Sequence, residues 1–381
     1  MKILIVMSGY LPGKLYGGPV TSIYNFTELL GDAYDLYIIC TNHDLKDKKP
    51  YQNIQIGWNA VGKAKVLYVE DKLFKYTLLC KIVEDISPDL IYINSFFSAR
   101  FTLPILLLSR KKSIPAILLP RGELNNDALK QKSMKKKIYM SVVKKCGLLT
   151  HVCFQATSKE ECEDIVNNLG IDSQRVFLIP NIPAVSCHKE VFSKEKNQLK
   201  LCFVGRIVKN KNLLYAIHVI SKSCYQVSLD IYGNIEDSTY WQSCCQAIDN
   251  LPDNISVHYK GVCSITEMRD LYRKYDFLIS PTLFENYGQA IAEAILHDTP
   301  VIISRGTTPW DEMNDLGVSY TIPLSEEQSF VSTIDFVASF SNEEYAALVQ
   351  KLREYCEKRF NFTKLFNQYD EVFKNIIGSG D

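Results

Sequence analysis

A chain of 381 residues exceeds one ordinary core, and at ~150 residues per domain it predicts two. With 46% hydrophobic and 23% charged residues it sits in the globular range, which excludes disorder, collagen-like repeats and coiled coil. Lys plus Arg and Asp plus Glu each total 43, so a dedicated nucleic-acid binder is excluded and a charged partner must be met by a local patch.

The apolar run at 3–7 is too short for a secretory core and reads as a buried strand. The apolar stretches at 103–108 and 116–119 stop well before the ~20 residues of a spanning helix, so the chain is expected to be soluble or at most surface-bound to a membrane. Twelve cysteines, among them Cys40, Cys153, Cys202, Cys244, Cys245 and Cys356, form no CxxC pair, and they read as reduced thiols used in the core.

Short β-branched runs alternate with segments of helical period: KILIVM, then 20–30, YDLYIICT, 72–86 and DLIYIN. PAILLP, a helix around 128–145, HVCFQAT, a helix at 159–169 and VFLIPN continue the rhythm. This is the pattern of a parallel sheet covered on both faces, and it predicts a Rossmann-like domain over 1–183. The polar stretch 184–198 reads as a linker. The rhythm restarts with LKLCFVG, a helix at 212–221, VSLDIYG, a helix at 239–250 and ISVHYKG. A helix at 266–275, DFLISPT, a helix at 287–296 and PVIIS complete a second Rossmann-like domain over 199–361. Such domains carry functional loops at the carboxyl ends of their strands, and two of them facing each other make a cleft. The segment 362–381 has helical spacing at Leu365, Tyr369, Phe373 and Ile376, and is expected to pack on an existing domain, with the first domain as a candidate.

The sharpest segment for chemistry is PTLFENYGQAIAEAILHDTPVIIS at 281–304. Glu285 precedes a helix expected to open near Tyr287, and Glu293 lies about two turns inside it, so both can address one elongated ligand. Gly288 leaves room for close approach, and the first-turn N–H groups suit an anion. VGRIVKNKN follows the first strand of the second domain, placing Arg206 and Lys211 at the same sheet edge. A forked guanidinium and a compact ammonium there suit a diphosphate.

On these residues the chain resembles the retaining, GT-B-fold nucleotide-sugar glycosyltransferases of family four. KILIVM…GGP, SPDLIYIN and PRGELNNDALKQK carry the resemblance in the first half. VGRIVKNKN, YKGVCSITEMRDLY and SPTLFENYGQAIAEAI carry it more specifically in the second. Thr308–Pro309–Trp310 further resembles a subgroup encoded among enzymes for bacterial surface polysaccharides, such as O-antigen or capsule. Tyr287 stands where Phe is common, and the loop at 305–307 is about one residue longer than usual.

The resemblance implies that Arg206 and Lys211 bind the donor diphosphate and stabilise its developing charge, while Glu285 contacts the transferred sugar. Glu293 would accept from the ribose hydroxyls, with Asn286, Tyr287, Gly288, Gln289 and Gly205 as further donor contacts. Gly17 and Gly18 would let the first domain's backbone approach the ligands. The implied substrates are a UDP- or GDP-linked sugar and a saccharide or polyprenyl-diphosphate-linked acceptor. Similar enzymes attack from the front face, so no protein nucleophile is required. No apolar strand ends in Asp-x-Asp, and no metal or other cofactor is expected. His43, His151, His188, His218, His258 and His297 are scattered singly, and none is nominated.

Arg121 and Glu123 lie on a first-domain loop, either holding acceptor or phosphate or pairing with each other as a structural salt bridge. Residues 128–159 hold eight lysines and no acid, so Lys130, Lys132, Lys135, Lys136 and Lys137 could seat the protein on the inner face of an anionic membrane or simply form a solvated face. Met134, Ile138, Met140 and Val143 also suit core contacts. The expected location is cytoplasmic.

A nicotinamide-dependent oxidoreductase would need Gly-x-Gly-x-x-Gly, and SGYLPGKLYGGP lacks that spacing. A related epimerase or phosphorylase, or a non-catalytic sugar-nucleotide or membrane-binding protein, are the alternatives.

Overall fold

The computed structural model of the chain describes residues 1–45, 47–130, 133–184 and 193–378. They divide into two compact units, one of Met1–Ile182 with Phe362–Asp381 and one of Pro183–Asn361.

The first unit runs β1 (Lys2–Val6), α1 (Gly18–Leu30), β2 (Asp35–Thr41), β3 (Trp58–Val61), β4 (Ala64–Val69), α2 (Tyr76–Ile86), β5 (Leu90–Asn94) and α3 (Ala99–Lys112). It continues with β6 (Ala116–Leu119), α4 (Asn126–Lys130), α5 (Ser133–Lys145), β7 (Val152–Ala156), α6 (Lys159–Leu169) and β8 (Val176–Leu178). The strands order as β3-β4-β2-β1-β5-β6-β7-β8. All pairs are parallel except β3 with β4. Ile3, Leu4, Ile5 and Val6 are all fully buried, as a central strand with helices on both faces must be. The antiparallel β3–β4 hairpin was not legible, because only four strand residues precede the Gly62 turn and two of them are exposed. The helix expected at 128–145 is seen as α4 and α5, and residues 131–132 between them, Lys132 included, lie outside the described residues.

The second unit runs β9 (Gln198–Val204), α7 (Leu213–Ile220), β10 (Gln226–Tyr232), α8 (Ser238–Ile248), β11 (Ile255–Gly261), α9 (Ile265–Tyr272) and β12 (Phe277–Ser280). It ends with α10 (Gln289–Leu296), β13 (Val301–Ser304), α11 (Glu312–Asp315), β14 (Tyr320–Ile322), α12 (Glu327–Ala338) and α13 (Asn342–Arg359). Its parallel sheet has the order β11-β10-β9-β12-β13-β14, so the winding reverses between β9 and β12. α13 starts on a capping box, with Ser341 accepting from the Glu344 amide and Glu344 reaching back to the Ser341 amide.

Of the expected linker, residues 185–192 lie outside the described residues. Its end belongs to the second unit, since the fully buried Lys194 ammonium donates to the carbonyls of Gln198 (2.6 Å), Glu195 (3.1 Å) and Ala338 (3.3 Å). Charge alone misled here, because a lysine can satisfy its three donors on carbonyls inside a core.

α14 (Phe362–Gly378) is part of the first unit. Leu365, Tyr369, Phe373 and Ile376 form its buried face. Phe373 packs on Phe26, Tyr34 and Tyr92. Gln155 donates to the Tyr369 hydroxyl at 2.8 Å and accepts from that of Tyr92 at 2.7 Å, so this buried amide ties the last helix to the sheet. Most described cysteines are buried or half-buried, as expected of core thiols, but Cys146 and Cys224 are exposed.

Candidate active site

The two neighbouring strands at the reversal of the second sheet, β9 and β12, send their loops to one edge. Open α/β sheets place ligand sites at such a point, because the following helices depart to opposite faces and leave a crevice. The loop after β9 carries Gly205, Arg206 and Lys211, and the loop after β12 carries Glu285 through Gly288.

The backbone stitches the two loops together. Leu283 N–H donates to Asn210 O at 2.9 Å, Asn210 Nδ2 donates to Phe284 O at 3.0 Å, and Thr282 Oγ1 donates to Asn210 O at 3.0 Å. Glu285 N–H donates to Thr307 O at 2.8 Å, which fastens the loop after β13 as well. Lys211 Nζ forms an ion pair with Glu285 Oε1, both side chains being largely buried. Burial, and after it the charge of Arg206, pushes the Lys211 ammonium down to about 7, while the Glu285 contact opposes that fall. Arg206 itself is half-exposed and bonds Glu236 Oε2 at 2.8 Å, a partner on the loop after β10.

Gly205 N–H donates to Tyr232 O at 2.9 Å. A Cβ on Gly233 would lie 1.8 Å from Gly205 O, so this crossing of two backbones admits only glycine. The IYG and YKG strand endings carried that signal, and sequence reasoning passed over Gly233.

α10 begins at Gln289, two residues later than expected, because Gly288 caps it in a left-handed conformation at φ 74°. A Cβ there would meet Ile291 Cδ1 at 3.0 Å and Trp310 Nε1 at 3.3 Å. Trp310 is buried and donates its indole N–H to Tyr287 O at 2.6 Å, with the Tyr287 ring edge-on at 5.6 Å. Phe360 and the Arg359 guanidinium cover Trp310. The tryptophan thereby fixes the Asn286–Tyr287–Gly288 turn, a role its sequence position did not reveal.

Glu293 is buried in α10, contacted by Tyr272 Oη and Gln289 Nε2 at 3.4 Å each. Burial pushes its carboxyl up to about 7 against those contacts and the Arg269 charge. Gln289 Oε1 is buried and makes no hydrogen bond. Glu285 and Glu293 therefore occupy different surroundings, one held by a lysine and one among neutral donors.

In the first unit Gly17 caps α1 at φ 68° with open space beyond its Cα, and Gly18 is the first helical residue. Arg121 and Glu123 each hold local structure. Arg121 Nε donates to Asn94 Oδ1 at 2.8 Å, and its Nη1 donates to Ser22 Oγ at 3.0 Å and to Asn181. Glu123 accepts from Ser95 Oγ (2.7 Å) and the amides of Phe96 (2.6 Å) and Phe97 (3.0 Å), while burial raises its carboxyl above the ordinary range. These partners, and not each other, hold Arg121 and Glu123, in place of the structural salt bridge that was one of the two readings. Among the described residues no group of three or more His, Cys, Asp or Glu side chains could hold a metal ion.

Residues 187–358 match the family model Glycosyl transferases group 1. The chain is 23% identical over 375 residues to the 41.2 kDa protein in the cps region of Klebsiella pneumoniae, covering 94% of this chain and 97% of that one. It is 25% identical over 222 residues to the O-antigen chain mannosyltransferase RfbU of Salmonella typhimurium, covering 57% and 60%. The solved structure of Anabaena HepE with UDP and glucose is similar at a TM-score of 0.71 and 16% identity, covering 98% of this chain and 100% of that one. WaaG, a glycosyltransferase involved in lipopolysaccharide biosynthesis, is similar at 0.67 and 11%, covering 99% of each. The architecture is GT-B.

Proposed function

We propose that this chain, a member of the group 1 glycosyl transferases through residues 187–358, transfers a sugar from a nucleoside-diphosphate sugar to a saccharide or polyprenyl-diphosphate-linked acceptor, with retention of configuration. The observation that carries this reading is the meeting of Lys211 with Glu285 at the reversal point of the second sheet. A cation confined there, with Arg206 close enough to depress it, is a site prepared for concentrated negative charge.

When the donor enters, its diphosphate replaces part of the Glu285 contact and restores the Lys211 ammonium. Lys211 and Arg206 then hold the charge that grows on the leaving diphosphate as its bond to the anomeric carbon breaks. Glu285 turns to the transferred sugar, and Glu293 accepts from the ribose hydroxyls. Gly205, Asn286, Tyr287, Gly288 and Gln289 complete the donor contacts. The acceptor hydroxyl attacks the same face, and the departing phosphate oxygen takes its proton. Two fixed cations supply the charge a divalent metal would provide, so the reaction proceeds without one.

UDP is the first donor base to test, since HepE was solved with UDP and glucose. The likeness to a cps-region protein and to an O-antigen mannosyltransferase supports a place in bacterial surface polysaccharide synthesis. The experiment is acceptor-dependent transfer from labelled UDP- and GDP-sugars, with and without EDTA, reading the anomeric configuration by NMR. Retention and indifference to EDTA are expected. Donor conversion without acceptor, or only with inorganic phosphate, would instead assign an epimerase or a phosphorylase.

A further inference from the structure

The lysine-rich stretch of the first unit is divided by the structure into a core face and a solvent face. On α5, Val143 is fully buried, and Tyr139 and Met140 pack on the core. Tyr139 Oη donates to Phe96 O at 2.8 Å, which fixes the helix's rotation. Lys136 belongs to this inner side, donating to Ala128 O at 2.6 Å and lying 4.8 Å from the Phe97 ring centre. Of the four apolar residues expected as core, Met140 and Val143 are so placed, whereas Met134 and Ile138 are not.

Met134 is 72% exposed, Ile138 59% and Val142 47%. They stand at successive i, i+4 positions and form one apolar stripe on solvent. At ~100° per residue, Lys135 falls on one side of the stripe, Lys137 and Lys144 on the other, and Lys145 within it. Among the described residues none of these four lysines pairs with a carboxylate, and Lys144 donates only to the Asn168 carbonyl at 2.8 Å. No described helix is long and apolar enough to cross a membrane.

We infer that the outer face of α5 lies flat on an anionic lipid surface, with Met134, Ile138 and Val142 in the headgroup–acyl boundary and Lys135, Lys137, Lys144 and Lys145 at the phosphates. Two independent features select lipid. An apolar stripe bordered by lysines on both sides is the pattern of a helix held in a membrane interface, where the long stems reach outward to the phosphates while the stripe is covered. The run of 128–159 without one acid presents a single sign of charge, complementary to a diffuse anionic surface. Such docking brings the enzyme to a lipid-linked acceptor, yet it is read by partition alone, so its failure and that of the transferase reading are separate results.

The test is sedimentation of the full chain with vesicles of phosphatidylcholine and of an equal mixture with phosphatidylglycerol, at low and high salt. At least ~10-fold stronger partition to the anionic vesicles is expected, weakening with salt. Met134→Ser/Ile138→Ser/Val142→Ser, and separately Lys135→Gln/Lys137→Gln/Lys144→Gln/Lys145→Gln, should fall to the phosphatidylcholine level with thermal unfolding unchanged. Leu316→Ser, at an exposed leucine of the second unit, should bind as the parent does. Hydrogen exchange on the unaltered protein, slowed over 133–145 by anionic vesicles, reads the same face without substitution. Equal partition to both vesicle types, or variants that bind undiminished, overturns the inference. Self-association abolished by the serine variant without lipid binding would assign the stripe to a second copy and overturn it too.

Discussion

Lys211 and Glu285, 74 positions apart in sequence, meet as a largely buried ion pair on the loops after β9 and β12. Parallel strands that are neighbours in space and distant in sequence make this contact possible. Lys211→Ala and Arg206→Ala should each lower kcat/KM for the donor by ~10-fold or more without loss of fold, as expected for removing charge that is needed most in the transition state. Single-turnover kinetics with the labelled donor checks this. The double variant should lose more than the product of the two, because removing either cation alone relieves the repulsion that Arg206 and Lys211 exert on each other.

Donor affinity should peak near neutral pH. Binding needs the Lys211 ammonium, pushed down to about 7, and the Glu293 carboxylate, pushed up to about 7. Affinity therefore falls above neutrality as Lys211 loses its proton, and falls below it as Glu293 gains one. Titration calorimetry across pH reads both limbs. Lys211→Arg should remove the alkaline limb, since a guanidinium stays charged.

Glu293→Gln should weaken donor binding and stabilise the folded protein. The native carboxyl titrates above its ordinary 4.5, so the folded state binds more protons than the unfolded one between 4.5 and about 7. Its contribution to stability is present below 4.5 and is lost as pH rises through about 7. Glutamine escapes that loss, so a gain on the order of 3 kcal/mol is expected at pH ~8 and little at pH ~4. Urea unfolding at the two pH values measures it.

Gly288→Ala should cost ~1–2 kcal/mol from the left-handed backbone alone. The new methyl also presses on Ile291 and the Trp310 indole, so donor KM should rise with it. Trp310→Phe, which keeps most of the ring and loses the bond to Tyr287 O, should raise donor KM and spare the fold more than Gly288→Ala.

Phe373→Ala should destabilise the first unit by ~3–5 kcal/mol, the cost of a large cavity in a fully buried aromatic cluster. Denaturation followed by tyrosine fluorescence or hydrogen exchange of β1 and β5 checks it.

The strand and helix rhythm made both parallel sheets legible, because strands buried on both faces are written as continuous apolar runs. Arg206, Lys211, Glu285 and Glu293 were legible from residue type and order. Their partners were not. Glu236, Tyr272 and Trp310 reach the site from distant segments, and nothing local marks a glutamate that pairs with Arg206 or a tryptophan that holds a turn. The two faces of α5 were also hidden, since the helical period of Met134, Ile138, Met140 and Val143 fits a core and a surface stripe alike until the first unit's own core shows which side is covered.

Calorimetric titration of UDP, GDP, ADP and CMP into the unaltered protein and into Lys211→Ala most directly tests a diphosphate site at the end of β9. One nucleoside diphosphate should bind the unaltered protein, and its affinity should drop by ~10-fold or more in the variant. Binding of none of them to a folded protein, or equal affinity in Lys211→Ala, would contradict a donor site built on Lys211 and Glu285.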